Sequence, residues 1–224
     1  MINLEPLWLT AKLALITTLI LLVVAIPLCY WLAYSRFRFK AVVEALISLP
    51  LVLPPSVLGF YLLIAFSPEN AFGKFLSDYF DLRLVFTFKG LVVASVLYSL
   101  PFMVNPILSG LKSLPSALQE ASFTLGKSSF TTLTKILLPN IKASLITGII
   151  MTFAHTLGEF GVVLMVGGSI PEETKVVSIA IYEEVESMNY HSANVYAGIL
   201  FIFSFSILLI VHLINNKSRK NTLY

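Results

Sequence analysis

Long apolar runs separated by short polar connections dominate this chain. Five of them, roughly 8–33, 43–66, 90–110, 141–166 and 195–214, have the length of about 20 residues that a helix needs to cross hydrocarbon. The pattern predicts an all-α membrane protein with about five transmembrane helices in one domain, 1–224. The first run, "AKLALITTLILLVVAIPLCYWLAY", follows a single acidic residue and is longer than a signal-peptide core. It lacks a basic leader and an A-x-A site, so it reads as a retained span.

Two runs carry unusual punctuation. The second reads "SLPLVLPPSVLGFYLLIAF", with Pro50, Pro54, Pro55 and Gly59; the third reads "LYSLPFMVNPILSG", with Pro101, Asn105 and Pro106. Proline removes a backbone donor and clashes with the preceding turn. Irregular backbone at membrane depth needs neighbouring helices or a water-filled cavity to satisfy it. Two readings stay open: ordinary kinking, or two spans that line a pathway. Residues 173–186, "ETKVVSIAIYEEVE", are too short to cross and read as a short helix at the outer surface.

Composition sharpens this picture. Of 224 residues, 57% are hydrophobic and 12% charged, about half the charge of a soluble domain. The net charge of +3 is too small to suggest nucleic acid. The single cysteine, Cys29, lies inside an apolar run and reads as a small core residue. Lys and Arg are asymmetric across the connections. Arg36, Arg38, Lys40, Lys112, Lys127, Lys135, Lys142, Lys217, Arg219 and Lys220 fall on one side, and Lys12, Lys74, Arg83, Lys89 and Lys175 on the other. Ten against five places the N-terminus outside and the C-terminus in the cytoplasm.

The connection 111–140 is then cytoplasmic, and it contains Gly126-Lys127-Ser128. A phosphate-binding loop needs G-x-x-x-x-G-K-[ST] after a strand. Here Ala121 stands five residues before Gly126 and no strand precedes, so the match is accidental. There is no H-E-x-x-H and no G-x-S-x-G, and a metal site is disfavoured with only His155 and Glu159 as ligands. No enzyme activity, ATP site or cofactor is expected of the chain itself.

The same stretch carries a second pattern. Glu120-Ala121-Ser122, three residues, Gly126, nine residues, then Ile136, Leu138 and Pro139 resembles the E-A-A-x3-G-x9-I-x-L-P loop of ABC importer permeases, with Ser122 in place of the second Ala. The resemblance implies the type I ABC importer permease fold. It implies a loop of two short helices with a turn near the glycine, docked on a separate ATPase subunit. Two ATPase copies, a second permease chain (a homodimer) and an extracytoplasmic oxyanion-binding protein follow as partners, in a bacterial inner membrane.

"LPLVLPPSVLGFYLL" (49–63) and "HTLGEFGVVLMVGGSIPEETKVVSIAIYEEVE" (155–186) resemble the molybdate/tungstate/sulfate branch, the molybdate type in particular. Tungstate or sulfate is the nearest alternative, and methionine or another small solute a more distant one. A secondary transporter is the out-of-class alternative, but five spans do not divide into equal inverted repeats. Almost no Lys or Arg lies in the spans to hold an anion. Pro54, Pro55, Ser95, Ser99, Asn105, Thr152 and Thr156 are candidates to line a polar path, although each hydroxyl or amide equally suits a helix–helix hydrogen bond. Glu159, mid-span and flanked by Gly158 and Gly161, repels an oxyanion and is assigned a structural or gating role, with His155 one turn earlier as a possible partner.

Overall fold

Thirty residues, Glu5–Tyr34, form the first helix, α1. Pro6 sits in its first turn, where a missing N–H breaks no bond. The computed structural model describes residues 3–221, with side chains through Leu209. Among the described residues there is no strand. The side chains of Lys217, Arg219 and Lys220, used above for orientation, lie outside this set.

The second apolar run is broken. Helix α2 (Lys40–Ser48) passes into a 3-10 turn at Leu49–Leu51, and α3 (Pro55–Phe66) sets off again at 110° to it. Neither Pro54 nor Pro55 can donate, and a proline disfavours the helical region in the residue before it. Pro54 is accordingly extended, at φ −55° and ψ 136°. A short helix without a sequence-based expectation, α4 (Ala71–Phe80), follows. Helix α5 (Phe88–Ser113) is then continuous through Pro101 and Pro106. Thr87 caps it by accepting from the Gly90 amide at 3.1 Å.

The connection after α5 contains α6 (Ser116–Thr124), α7 (Ser129–Thr132), a π-helical turn (Leu133–Leu137) and α8 (Leu138–Asn140). A bend of 82° at Ile141 leads into α9 (Lys142–Leu157). The fourth run, expected as one span over 141–166, stops at Leu157 and resumes as α10 (Gly161–Gly167). Helix α11 (Val177–Glu186) falls within 173–186, the stretch expected to form a short helix, with Val177, Ile179 and Ala180 buried, and α12 (Tyr190–Asn221) is the last described helix. Helices α1, α5 and α12 are long and apolar enough to cross a membrane alone, and the two bent pairs pass the same test together.

Helices α1, α5 and α9 pack on one another. In lipid the association of helices rests on close packing and hydrogen bonds rather than on expulsion of water. Small Ala25 and Cys29 of α1 let it approach Met103, Val104 and Ile107 of α5, all buried. At the other end, Val162 and Val166 of α10 bury against Ala94 of α5 and Phe66 of α3. Helix α12 packs its first turns on α11 through buried Tyr196, and further along it is open, with Phe201 72% and Ile202 65% exposed.

Candidate functional site: the 111–140 loop and the broken-helix cavity

The loop is a two-helix hairpin. Helix α6 ends in a left-handed turn at Gly126, whose φ is +68°. There Gly126 N–H reaches the Phe123 carbonyl at 2.9 Å and Lys127 N–H the Ser122 carbonyl at 3.1 Å, satisfying carbonyls that a helix end leaves open. Ser128 then caps α7 by accepting from the Thr131 amide at 3.2 Å.

Ser122, the one departure from the motif, is buried and shares a hydrogen bond of 2.8 Å with Thr132. This bond ties α6 to α7. Gln119 donates to the Tyr30 hydroxyl at 3.2 Å, fixing the hairpin to α1. Glu120 and Ala121 are exposed, and among the described residues the Glu120 side chain has no ion pair or hydrogen bond. Around them Phe123 (44%), Leu125 (75%) and Phe130 (75%) are exposed too. These three were missed by sequence reasoning, although large apolar residues in a polar connection are a visible signal.

Ile136 and Leu138 are half-buried and Pro139 is exposed, whereas Leu137 between them is fully buried in the core. Pro139 has no N–H, and the preceding turn is wide, with Leu138 N–H bonded to Leu133. Asn140 covers the Ile136 carbonyl at 2.7 Å.

The candidate path residues separate into distinct groups. Ser99 and Thr156 share a 3.0 Å bond between α5 and α9, and Ser99 also meets His155 Nδ1 at 3.0 Å. The His155 ring stacks on Phe102 at 3.9 Å. His155 is therefore partnered by Ser99, not by Glu159 as the one-turn spacing suggested. Ser95 and Thr152 are fully buried, and neither hydroxyl has a partner. Asn105 lies on an exposed face of α5, apart from the rest.

The two helix breaks meet. Gly161, at the start of α10, is so close to the start of α3 that an added Cβ would stand 2.8 Å from Pro55 Cβ and 3.3 Å from the Ser56 amide. Beside this junction is a cavity of about 610 Å³, lined by Pro55 and Ser56 of α3, Tyr98 of α5, His155 of α9 and residues 158–161. Glu159 is only 4% exposed; its carboxyl lies near the Ser95 hydroxyl, the side-chain group that acts on it, without a hydrogen bond of full geometry to it or to any other group. Its backbone is held by Ser178, which donates to the Glu159 carbonyl at 2.6 Å. Pro54 lies exposed at the α3 cap, just outside the cavity lining. Among the described residues no three His, Cys, Asp or Glu side chains converge on a metal position.

Comparison with known proteins gives these features a context. Residues 25–220 match the model of the family described as "Binding-protein-dependent transport system inner membrane component". The chain is 44% identical over 211 residues to the molybdenum transport system permease protein ModB of Azotobacter vinelandii, covering 94% of this chain and 93% of the relative. It is 32% identical to a probable sulfate transport system permease protein of Prototheca wickerhamii, over 92% of this chain and 79% of the relative. A solved bacterial ABC transporter involved in import of the acidic polysaccharide alginate shares the fold, with a TM-score of 0.78 at 15% identity, over 96% of this chain and 79% of that one. With a family match over most of its length and a fold to agree, the chain belongs to the inner-membrane components of binding-protein-dependent transport systems, as a multi-pass membrane protein.

Proposed function

We propose that this chain is the membrane subunit of an ATP-driven importer of molybdate. It provides the passage while a separate ATPase subunit docks on the hairpin of α6 and α7. The observation that carries the substrate is the 44% identity, nearly end to end, to a molybdenum transport permease. Sulfate is the second reading, supported by the relatives near 32% identity.

The hairpin geometry supports the docking role. Its exposed face combines small Ala121, acidic Glu120 and three large apolar side chains. Its inner face is anchored by Ser122 and Gln119. A surface so built can bind a partner without unfolding its base. One hairpin per chain and paired ATP sites imply two permease chains and two ATPases, with an external binding protein delivering the oxyanion.

The test is uptake of molybdate, tungstate and sulfate by cells expressing the chain with and without its ATPase. Uptake should require the ATPase and survive collapse of the proton gradient. Glu120→Ala should reach the membrane normally yet retain less ATPase on extraction, because loss of a charge-assisted hydrogen bond weakens a contact by roughly 1.5–3 kcal/mol. Uptake independent of the ATPase refutes the importer reading.

A further inference from the structure

The carboxyl of Glu159 is buried with only the Ser95 hydroxyl near it and no hydrogen bond of full geometry, and an unsatisfied buried carboxyl is costly. Two donors line the same cavity without a partner for the group they offer, the Ser56 hydroxyl and the Tyr98 hydroxyl. His155 forms a fixed wall beside them: Thr156 donates to the Thr152 carbonyl and Ser99 to Thr156, so the Nδ1–H donates to Ser99 at 3.0 Å, and Phe102 stacks on the ring. No Lys or Arg lines the space. At about 610 Å³ the cavity far exceeds the roughly 30 Å³ share of one water molecule, leaving room for a tetrahedral oxyanion with part of its hydration.

We propose that this cavity is a transit site for the oxyanion, held by the hydroxyls of Ser56 and Tyr98, and that Glu159 is the built-in competitor that reclaims those donors and ejects it. This rests on the importer reading above. Uncharged hydroxyl donors hold an anion weakly, as a passage requires, since a tight site would trap its cargo. In the present conformation no hydrogen bond joins the carboxyl to these donors. Residues 158–160 are non-helical, with Phe160 at φ −129° and ψ −62°, so Glu159, which already lines the cavity, can turn its carboxyl onto the donors by rotation within this break without α9 unwinding. Oxyanion and carboxyl then bind the same donors in alternation, and the negative charge of one expels the other.

The experiment uses the full transporter, this chain with its ATPase and binding protein, in lipid nanodiscs and vesicles, with inorganic tungstate and molybdate as probes. Glu159→Gln keeps the shape and removes the competing charge. It should retain tungstate through gel filtration where the wild type retains none, and its uptake should fall on the order of tenfold. Adding Tyr98→Phe should weaken that retention by about tenfold, the effect of one lost hydrogen bond. Should Glu159→Gln fail to assemble, Tyr98→Phe and Ser56→Ala in the wild-type background decide instead. Each should raise the oxyanion concentration for half-maximal uptake, and unchanged uptake in both overturns the site. Wild-type uptake with no tungstate retained by Glu159→Gln refutes the site alone, as does retention indifferent to Tyr98→Phe. Absence of wild-type uptake of either oxyanion refutes the importer reading and the site with it.

Discussion

Gly126 offers a clean test of whether the hairpin's shape matters to what docks on it. A Cβ added there meets nothing within 4 Å, while the backbone sits at φ +68°. Any penalty for substitution is therefore conformational and not steric crowding by neighbours. A left-handed residue with a side chain costs about 1–2 kcal/mol. That reduces the population of the correctly turned hairpin by a factor of about 5–30, and apparent affinity for a partner falls with that population. Asn tolerates the left-handed region better than Ala, and a β-branched residue tolerates it worst. The expected order of ATPase retention after detergent extraction is Gly, then Gly126→Asn, then Gly126→Ala, then Gly126→Val, with membrane levels unchanged. Uptake should follow the same order. Equal loss in all three variants, or full retention by Gly126→Val, would falsify the conformational account.

Gly161→Ala places a methyl 2.8 Å from the rigid Pro55 ring; overpacking of this kind costs roughly 1–3 kcal/mol, so the thermal midpoint of the purified chain in detergent should drop, whereas an unchanged midpoint shows that the two breaks are not locked. Ser99→Ala strands His155 Nδ1 and removes one partner of Thr156; a loss of about 1–3 kcal/mol, read in the same assay, should be largely absent once His155→Phe is already in place. Outside the spans, burial raises the Glu183 carboxyl, but hydrogen bonds from Lys175 and Ser169 outweigh it and hold the group below its usual 4.5. A depressed value contributes stability above the unfolded pKa that is lost as pH falls through the folded one. Hydrogen exchange across 169–183 should therefore speed up only below pH 4.5, and Glu183→Gln should abolish that dependence.

Some of this was legible in the sequence because it depends on local spacing. The hairpin motif places Glu120, Gly126 and Pro139 at fixed intervals, and Gly126 alone can supply the turn without strain. The role of Ser122 was not legible. Its partner Thr132 is ten residues away and becomes a neighbour only when the hairpin closes. The double proline at 54–55 marked an irregularity, yet kink and break have the same signature, and the 110° angle is set by packing of α3 on α10. At 158–160 the flanking glycines were visible, but apolar residues on both sides hid the end of α9. Helix α4 carries aromatics at Phe72, Phe75 and Tyr79 on one face, a stripe too short to register as a span. The partners of Ser99 and His155 depend on the register of α5 against α9, and no single-chain pattern encodes that register.

That register also links the two sites. Helix α9 begins at Lys142, one residue past the bend that ends the hairpin segment, and finishes at Leu157, one residue before the break. Sixteen residues at 1.5 Å each make a rod of about 24 Å, long enough to carry a displacement from hairpin to cavity. Its bonds to α5 cluster at the cavity end, through His155 and Thr156. Its start is anchored through Ile141 and Leu137 in the α1–α5 core. A tilt of α9 about Ile141 would carry His155 past Tyr98 of α5, with α3 packed on Gly161 just beyond the break. On the proposed function, the helix that receives the ATPase's motion is the same one that positions the group expelling the anion.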